Sequence, residues 1–376
     1  MSLRILHLVG ASEDNGGILS VLRNLQTASA SRAWVHATWV RPEYREARKP
    51  ALTYVRTQCL WSEHENHLKL LTSGVRAGLE LRSVLSRERF DVLHAHSRGS
   101  LITAVFAASF LKRRVIFTNH AYARRTGMYR WAAGVPRLHT TVLTPNMARH
   151  YRLEAPSQQV SVVSECCDDA WFQRPVATSP PSGGGRPQVF VGLGNLLPWK
   201  KWDLILEALI RMSTEEVRRF RVEIYGPTPN LSEAVKYERA LRSKAAAAGL
   251  EAVFVLKGPT QDVAGVLASA DWFLLPSTNE PCSVALIEAL AAGVPSLVSA
   301  SGGNVDIIRP GASGLLFEPD NPADLKVRML EAWSRRSALA GAEDIRRSVS
   351  HRCATQVVAQ FEPLYRWCAG SGALPD

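Results

Sequence analysis

Two carboxylates on one short stretch offer the clearest chemistry in this chain. The run Ser277-Thr-Asn-Glu-Pro-Cys-Ser-Val-Ala-Leu-Ile-Glu-Ala-Leu-Ala-Ala-Gly293 carries Glu280 in a polar loop and Glu288 eight positions later. Ser283 is suited to cap a helix over 284–292, which Gly293 would end. That helix is apolar all round except for Glu288, so it is expected to be buried. A buried carboxylate needs a partner. The partner is either an internal cation or backbone donor, or a ligand rich in hydroxyls. The free N–H groups and dipole of the helix start suit an anion. A loop carboxylate, an anion-ready helix start and a helix carboxylate together suit a sugar joined to a phosphate.

The elements that would position these groups alternate in type. Apolar runs predict strands at 4–9, 35–40, 53–57, 91–95, 115–119, 141–144 and 160–163, with helical patterns from about 18, at 67–87 and at 99–111. Residues 175–187, rich in proline, serine and glycine, read as a linker. The alternation then restarts, with strands at 188–193, 221–225, 252–256, 272–275, 296–299 and 314–317. Helices fit 201–212, 231–248, 262–269, 283–292 and 322–339. Such alternation predicts α/β architecture, two doubly wound parallel sheets. Ligands of such sheets bind outside the carboxyl ends of the strands. The expected division is 1–174, linker 175–187, 188–343, and a terminal segment 344–376. Within 1–174, Asn15-Gly16-Gly17 forms a glycine turn between the first strand and its helix, where a ligand can approach the backbone. His120 ends the strand at 115–119, and His94 and His96 end the preceding one as second-tier candidates, with packing the expected role for both.

Composition bounds the rest. The chain has 376 residues, 46% hydrophobic and 21% charged, as in an ordinary globular protein of two domains. No apolar run reaches the roughly 18–20 residues that span a bilayer. The start is too short and too strand-like for a signal peptide, so a cytoplasmic location is expected. Six scattered cysteines show no C-x-x-C pair or Cys/His cluster, which argues against structural zinc and for reduced thiols. The net charge of +11 favours anionic partners. No nucleic-acid-binding signature accompanies it, so nucleic acid is not expected. Gly192-Leu-Gly194 starts like a dinucleotide fingerprint, but position 197 is Leu, which disfavours a nicotinamide enzyme.

Glu280 and Glu288 are spaced as E-x7-E, and the chain continues through Ala289-Leu-Ala-Ala-Gly-Val-Pro295, Gly302-Gly303 and Ser313-Gly-Leu-Leu-Phe317. In this order and spacing the stretch resembles the GT-B glycosyltransferases of family 4, most densely over 188–320. The resemblance implies two Rossmann-like domains facing across a cleft, with the last helix, at 344–367, returning to the N-terminal domain. It implies a retaining, metal-independent hexosyltransferase with a nucleotide-sugar donor and a glycan or lipid-linked acceptor. It needs no cofactor beyond that substrate, and the chain has no D-x-D motif. By the same resemblance Glu288 binds the donor ribose, and Glu280 contacts the donor sugar with the backbone of Pro281, Cys282, Ser283 and Val284. Lys200 neutralises the leaving diphosphate, Gly16 and Gly17 lie near it, and His120 stabilises the transition state. Asn195 stands where the family usually has an arginine on the diphosphate, with Lys201 the nearest replacement cation. Trp199 and Trp202 are expected to pack, and Asp306 is read as structural.

Two alternatives stay open at this level. One is an enzyme of the same architecture acting on nucleotide sugars without transfer, such as an epimerase. The other is a non-catalytic GT-B subunit. The apolar helix at 101–111 leads into Lys112, Arg113 and Arg114, with Arg124 and Arg125 shortly after. That cluster predicts a peripheral contact with an anionic surface at the inner face of the membrane.

Overall fold

The computed structural model describes residues 2–14, 16–64, 66–155, 157, 159–176, 186–335 and 339–374. Asn15 and most of the expected linker, 177–185, lie outside the described residues. The chain forms two compact units, 1–169 with 352–376, and 170–351.

The first unit is built on a seven-stranded sheet. Its strands are β1 (Arg4–Leu8), β2 (Val35–Val40), β3 (Tyr54–Arg56), β4 (Val92–Ala95), β5 (Val115–Asn119), β6 (Leu138–Val142) and β7 (Val160–Val162). They run β3-β2-β1-β4-β5-β6-β7, every pair parallel. β4, β5 and β6 are buried along their whole length, as expected where helices cover both faces of a parallel sheet. The second unit carries β8 (Gln188–Leu193), β9 (Phe220–Tyr225), β10 (Phe254–Gly258), β11 (Trp272–Leu275), β12 (Ser296–Ser299) and β13 (Gly314–Phe317). Their order is β10-β9-β8-β11-β12-β13, again all parallel. Its core joins Phe190, Phe220 and Trp272 of the sheet to Trp202, Ile205 and Leu209 of the helix Trp202–Ile210.

Strand order reverses beside β1 and β4 in one sheet and beside β8 and β11 in the other. At such a switch point the connections leave on opposite faces and open a crevice beyond the strand ends. Gly16 and His96 follow β1 and β4. Asn195 and Lys200 follow β8, and Ser277 and Glu280 follow β11. The topology therefore brings these loops of each unit to its own switch point.

Three local differences from the expected elements have simple causes. β6 begins at Leu138 and stops at Val142, rather than covering 141–144, because Thr144 caps the helix Pro145–Tyr151 through Met147 N–H at 3.3 Å. β10 starts at Phe254 instead of 252, because Val253 and Phe254 N–H both donate to the Leu250 carbonyl in a turn. The segment 344–367 is two helices, Ala342–Ser348 and Ala354–Cys368, separated by a short 3-10 turn, Ser350–Arg352. The first packs in the second unit, where Arg346 Nε donates to the Ala291 carbonyl at 2.7 Å. Only the second helix lies in the first unit, against the helix Gly17–Ala28. All six cysteines are free thiols. Among the described residues no helix is long and apolar enough to cross a membrane.

Candidate active site

In the second unit, Lys200 and Glu280 meet. β8 ends at Leu193, and the chain reaches Lys200 through the 3-10 turn Pro198–Lys200. Lys200 Nζ lies 2.8 Å from Glu280 Oε2, with the two side chains only 11% and 10% exposed. Ser277 Oγ donates to the same carboxylate oxygen at 2.8 Å. The Trp199 ring sits 4.2 Å from the ammonium, which favours the cation through the ring's negative face. Trp199 is thus an exposed partner of Lys200 rather than a packing residue, whereas Trp202 is fully buried. The loop that carries Glu280 is held by the glycine pair: Gly303 N–H donates to the Glu280 carbonyl at 2.8 Å. Gly302 has φ +59, and a Cβ there would lie 2.4 Å from that carbonyl oxygen.

The sequence placed the buried carboxylate on the helix, but the structure places it in the loop. Glu288 is half-buried on the helix Val284–Ala291, while Glu280 is buried. The helix is only eight residues long, and its outward side still reaches solvent at Val284, Ala285 and Glu288. Ser283 caps it, accepting from Leu286 N–H at 3.2 Å. Pro281 and Cys282 carry the chain from Glu280 to that cap. Asn195 is half-buried, and its carbonyl accepts from Trp202 Nε1 at 3.1 Å. Lys201, the expected replacement cation, is already paired with Asp320 at 2.8 Å. Its backbone is left-handed, φ 58, at the position that precedes the helix Trp202–Ile210.

In the first unit, Gly16 has φ +85 and precedes the helix Gly17–Ala28. Among the described residues no heavy atom would touch a Cβ at Gly16 or Gly17, so the backbone conformation, not space, calls for glycine at 16. His120 follows β5. Its Nδ1 lies 2.6 Å from Glu165 Oε1, and its Nε2 lies 3.1 Å from His96 Nδ1. His94 bridges Thr118 Oγ1 at 2.7 Å and the Tyr365 hydroxyl at 3.0 Å. Burial pushes the His94 and His96 pKa values well below the ordinary histidine range. The two second-tier histidines, for which packing was expected, are thus hydrogen-bonded groups, one of them directly on His120.

The family model for glycosyl transferases group 1 matches residues 181–343, and that for glycosyltransferase family 4 matches residues 16–171. The chain belongs to the GT-B glycosyltransferases of family 4. A D-inositol 3-phosphate glycosyltransferase from Geodermatophilus obscurus is 31% identical over 41% of this chain and 35% of its own length. The chain thus spans about a third of the length of the first curated relatives it matches. Sucrose-phosphate synthase from Thermosynechococcus elongatus superposes with a TM-score of 0.79 at 15% identity, covering 98% of this chain and 100% of that one. Anabaena HepE in complex with UDP and glucose gives 0.73 at 16% identity, over 96% and 98%.

Within this family 4 chain, Glu165, Ser277, His7 and His36 escaped the sequence reading. Glu165 sits just past β7, where carboxyl-end position was the available signal. His7 and His36 lie inside strands, where a lone histidine gives no sign of its neighbour on the next strand. The basic cluster is also less free than its sequence implies. Arg113 donates to the Phe90 carbonyl and Arg114 to the Trp367 carbonyl, both at 2.7 Å, so these two guanidinium groups hold the fold. Lys112, Arg124 and Arg125 remain exposed.

Proposed function

We propose that this protein is a retaining glycosyltransferase that moves a hexose from a nucleotide-sugar donor to a glycan or lipid-linked acceptor. The observation that carries the reading is the buried Lys200–Glu280 pair at the switch point of the second sheet, beside the Ser283-capped helix start. A cation and free N–H groups fit a diphosphate. A carboxylate within reach fits sugar hydroxyls. In this reading the diphosphate takes over Lys200, which frees Glu280 to accept hydrogen bonds from the sugar. Lys200 and the helix start then stabilise the charge that develops on the leaving group, as preorganised electrostatics. Glu288 holds the ribose hydroxyls, and the backbone of Pro281, Cys282, Ser283 and Val284 lines the donor. UDP in the Anabaena neighbour supports a nucleoside diphosphate as the carrier.

In the first unit, which binds the acceptor, His120 is the group that stabilises the transition state, and Gly16 and Gly17 give the backbone approach for a ligand. Docking on an anionic membrane through the basic cluster would have to use Lys112, Arg124 and Arg125, the three of the five that are exposed. The non-catalytic reading keeps one specific support: Asn195 carries no charge, and Lys201 is held by Asp320.

The experiment is a screen of UDP-, GDP- and ADP-sugars by thermal shift. Donor hydrolysis and transfer are then measured with and without chelator, and the anomeric configuration of product is read by NMR. Transfer with retention that persists in excess EDTA is expected. Stabilisation by a nucleotide sugar without any turnover would leave the non-catalytic subunit. Sugar isomerisation without acceptor would leave the epimerase. Turnover abolished by EDTA and restored by magnesium would overturn the role given to Lys200.

A further inference from the structure

A continuous row of hydrogen bonds crosses the first sheet. It runs from Glu165 to His120, from His120 Nε2 to His96 Nδ1, and from His96 Nε2 to His7 Nδ1 at 2.9 Å. It continues from His7 Nε2 to His36 Nδ1 at 2.9 Å and from His36 Nε2 to Ser29 Oγ at 2.8 Å. Ser29 Oγ lies 2.7 Å from the Leu25 carbonyl, where the row ends. His7, His36, His96 and Ser29 are each at most 5% exposed. The parallel register places His7 beside His94 on β4, so the row passes from the end of one strand into the middle of the next two.

The terminus gives the row a direction. A serine hydroxyl has one proton, and Ser29 donates it to the Leu25 carbonyl. Its oxygen must therefore accept from His36 Nε2–H. Burial keeps His36 neutral, its pKa lowered to about 4, and keeps His7 and His96 neutral too. A neutral imidazole has one N–H and one lone pair. His36 Nδ1 then accepts from His7 Nε2–H, His7 Nδ1 from His96 Nε2–H, and His96 Nδ1 from His120 Nε2–H. His120 still faces the Glu165 carboxylate through Nδ1 at 2.6 Å. Two lone pairs cannot meet at that distance, so a second proton lies between His120 and Glu165.

We propose that Ser29, His36, His7 and His96 are positioning residues for His120, and that their one-way row holds His120 doubly protonated against the Glu165 carboxylate. His120 then has no ring nitrogen available to take a proton from a bound hydroxyl. What it offers a ligand is a fixed positive charge and a polarised C–H edge. The charge would stand in the unit to which the proposed function gives the acceptor, and that placement and the kcat readout below rest on that reading. His7, His94 and His96 also bring ring nitrogens within 4.8 Å of one another, close enough to suggest a metal. All six of their ring nitrogens already face protein partners, so hydrogen bonding accounts for the cluster.

The test is the long-range proton–nitrogen spectrum of the full chain labelled with 15N-histidine, assigned by single-site variants. His7, His36 and His96 are expected as Nε2–H tautomers, and His120 with both nitrogens protonated. Ser29→Ala removes the end that sets the direction. The row should reverse, leaving His120 protonated on Nδ1 only. Glu165→Gln should also take His120 out of the doubly protonated state, and should lower kcat by roughly 100-fold, the scale for losing a preorganised charge partner. A singly protonated His120 in the wild type, or tautomers unchanged by Ser29→Ala, would overturn the proposal. The spectrum needs no donor or acceptor, so it stands or falls apart from the transferase activity.

Discussion

Replacing Lys200 by Met tests whether the Lys200–Glu280 pair is both a buried contact of the fold and the seat of the donor. At 2.8 Å the two charges attract by roughly 6 kcal/mol at an effective dielectric near 20, before desolvation is subtracted. With Lys200 gone, the Glu280 carboxylate keeps the Ser277 hydroxyl but loses its counter-charge, in a loop where it is 7% exposed. Breaking one side of a buried pair costs about 3–5 kcal/mol. For a unit of this size that lowers Tm by roughly 6–20 °C. Removing both charges, Lys200→Met with Glu280→Gln, should restore much of the loss, because no buried charge is then stranded. Urea unfolding of the four proteins gives the coupling energy directly. A second reading comes from ligand. A nucleoside diphosphate at about 100 times its Kd should stabilise the wild type by about 2.7 kcal/mol and the Lys200→Met protein by much less. The reasoning is refuted if Lys200→Met costs under about 1 kcal/mol and the diphosphate stabilises both proteins equally.

Three further outcomes are expected. The folded-state pKa values of His36, His7, His94 and His96 lie below the unfolded value. The unfolded chain therefore binds protons that the folded chain refuses, and stability is full above about pH 6.5 and falls as pH drops below it. His36 alone should cost roughly 1.3 kcal/mol between about pH 7 and pH 5.5. Denaturant unfolding at the two pH values checks this, and equal stability would contradict the burial of neutral imidazoles. Gly302→Ala should destabilise the second unit by about 2 kcal/mol or more and impair donor binding, since its Cβ meets the Glu280 carbonyl at 2.4 Å with φ +59. Calorimetry with a ligand titration measures both, and an unchanged Tm would count against the tight loop. Glu288→Gln should weaken nucleotide binding about 10-fold while moving Tm little, because the side chain is only half-buried. Unchanged affinity would remove Glu288 from the donor site.

Much of the architecture follows from local pattern. Apolar runs such as Trp272-Phe-Leu-Leu275 are too short for a helix and are bounded by turn residues, and Ser283 and Gly293 punctuate the helix that follows, so the alternation was legible residue by residue. The E-x7-E spacing and the glycine pair were legible for the same reason, since they are set by loop length along one segment. Boundaries shifted where a side chain had a second role. Thr144 has the β-branched form of a strand residue, but its hydroxyl caps the next helix.

What only the tertiary structure decided is which polar groups meet. Lys200 and Glu280 are 80 residues apart and form a pair because β8 and β11 are neighbours at a switch point. Lys201, the next residue, is paired instead with Asp320, far along the chain. His7 and His36 each look like a solitary strand histidine, His96 and His120 like histidines at strand ends, and Glu165 like an ordinary loop carboxylate. They become one row because parallel strands bring residues far apart in sequence to the same level of the sheet. A hydrogen bond depends on a separation of about 3 Å, and sequence spacing fixes that separation only within a turn of helix or a tight loop. Between strands it is fixed by sheet order and register, which no single segment contains.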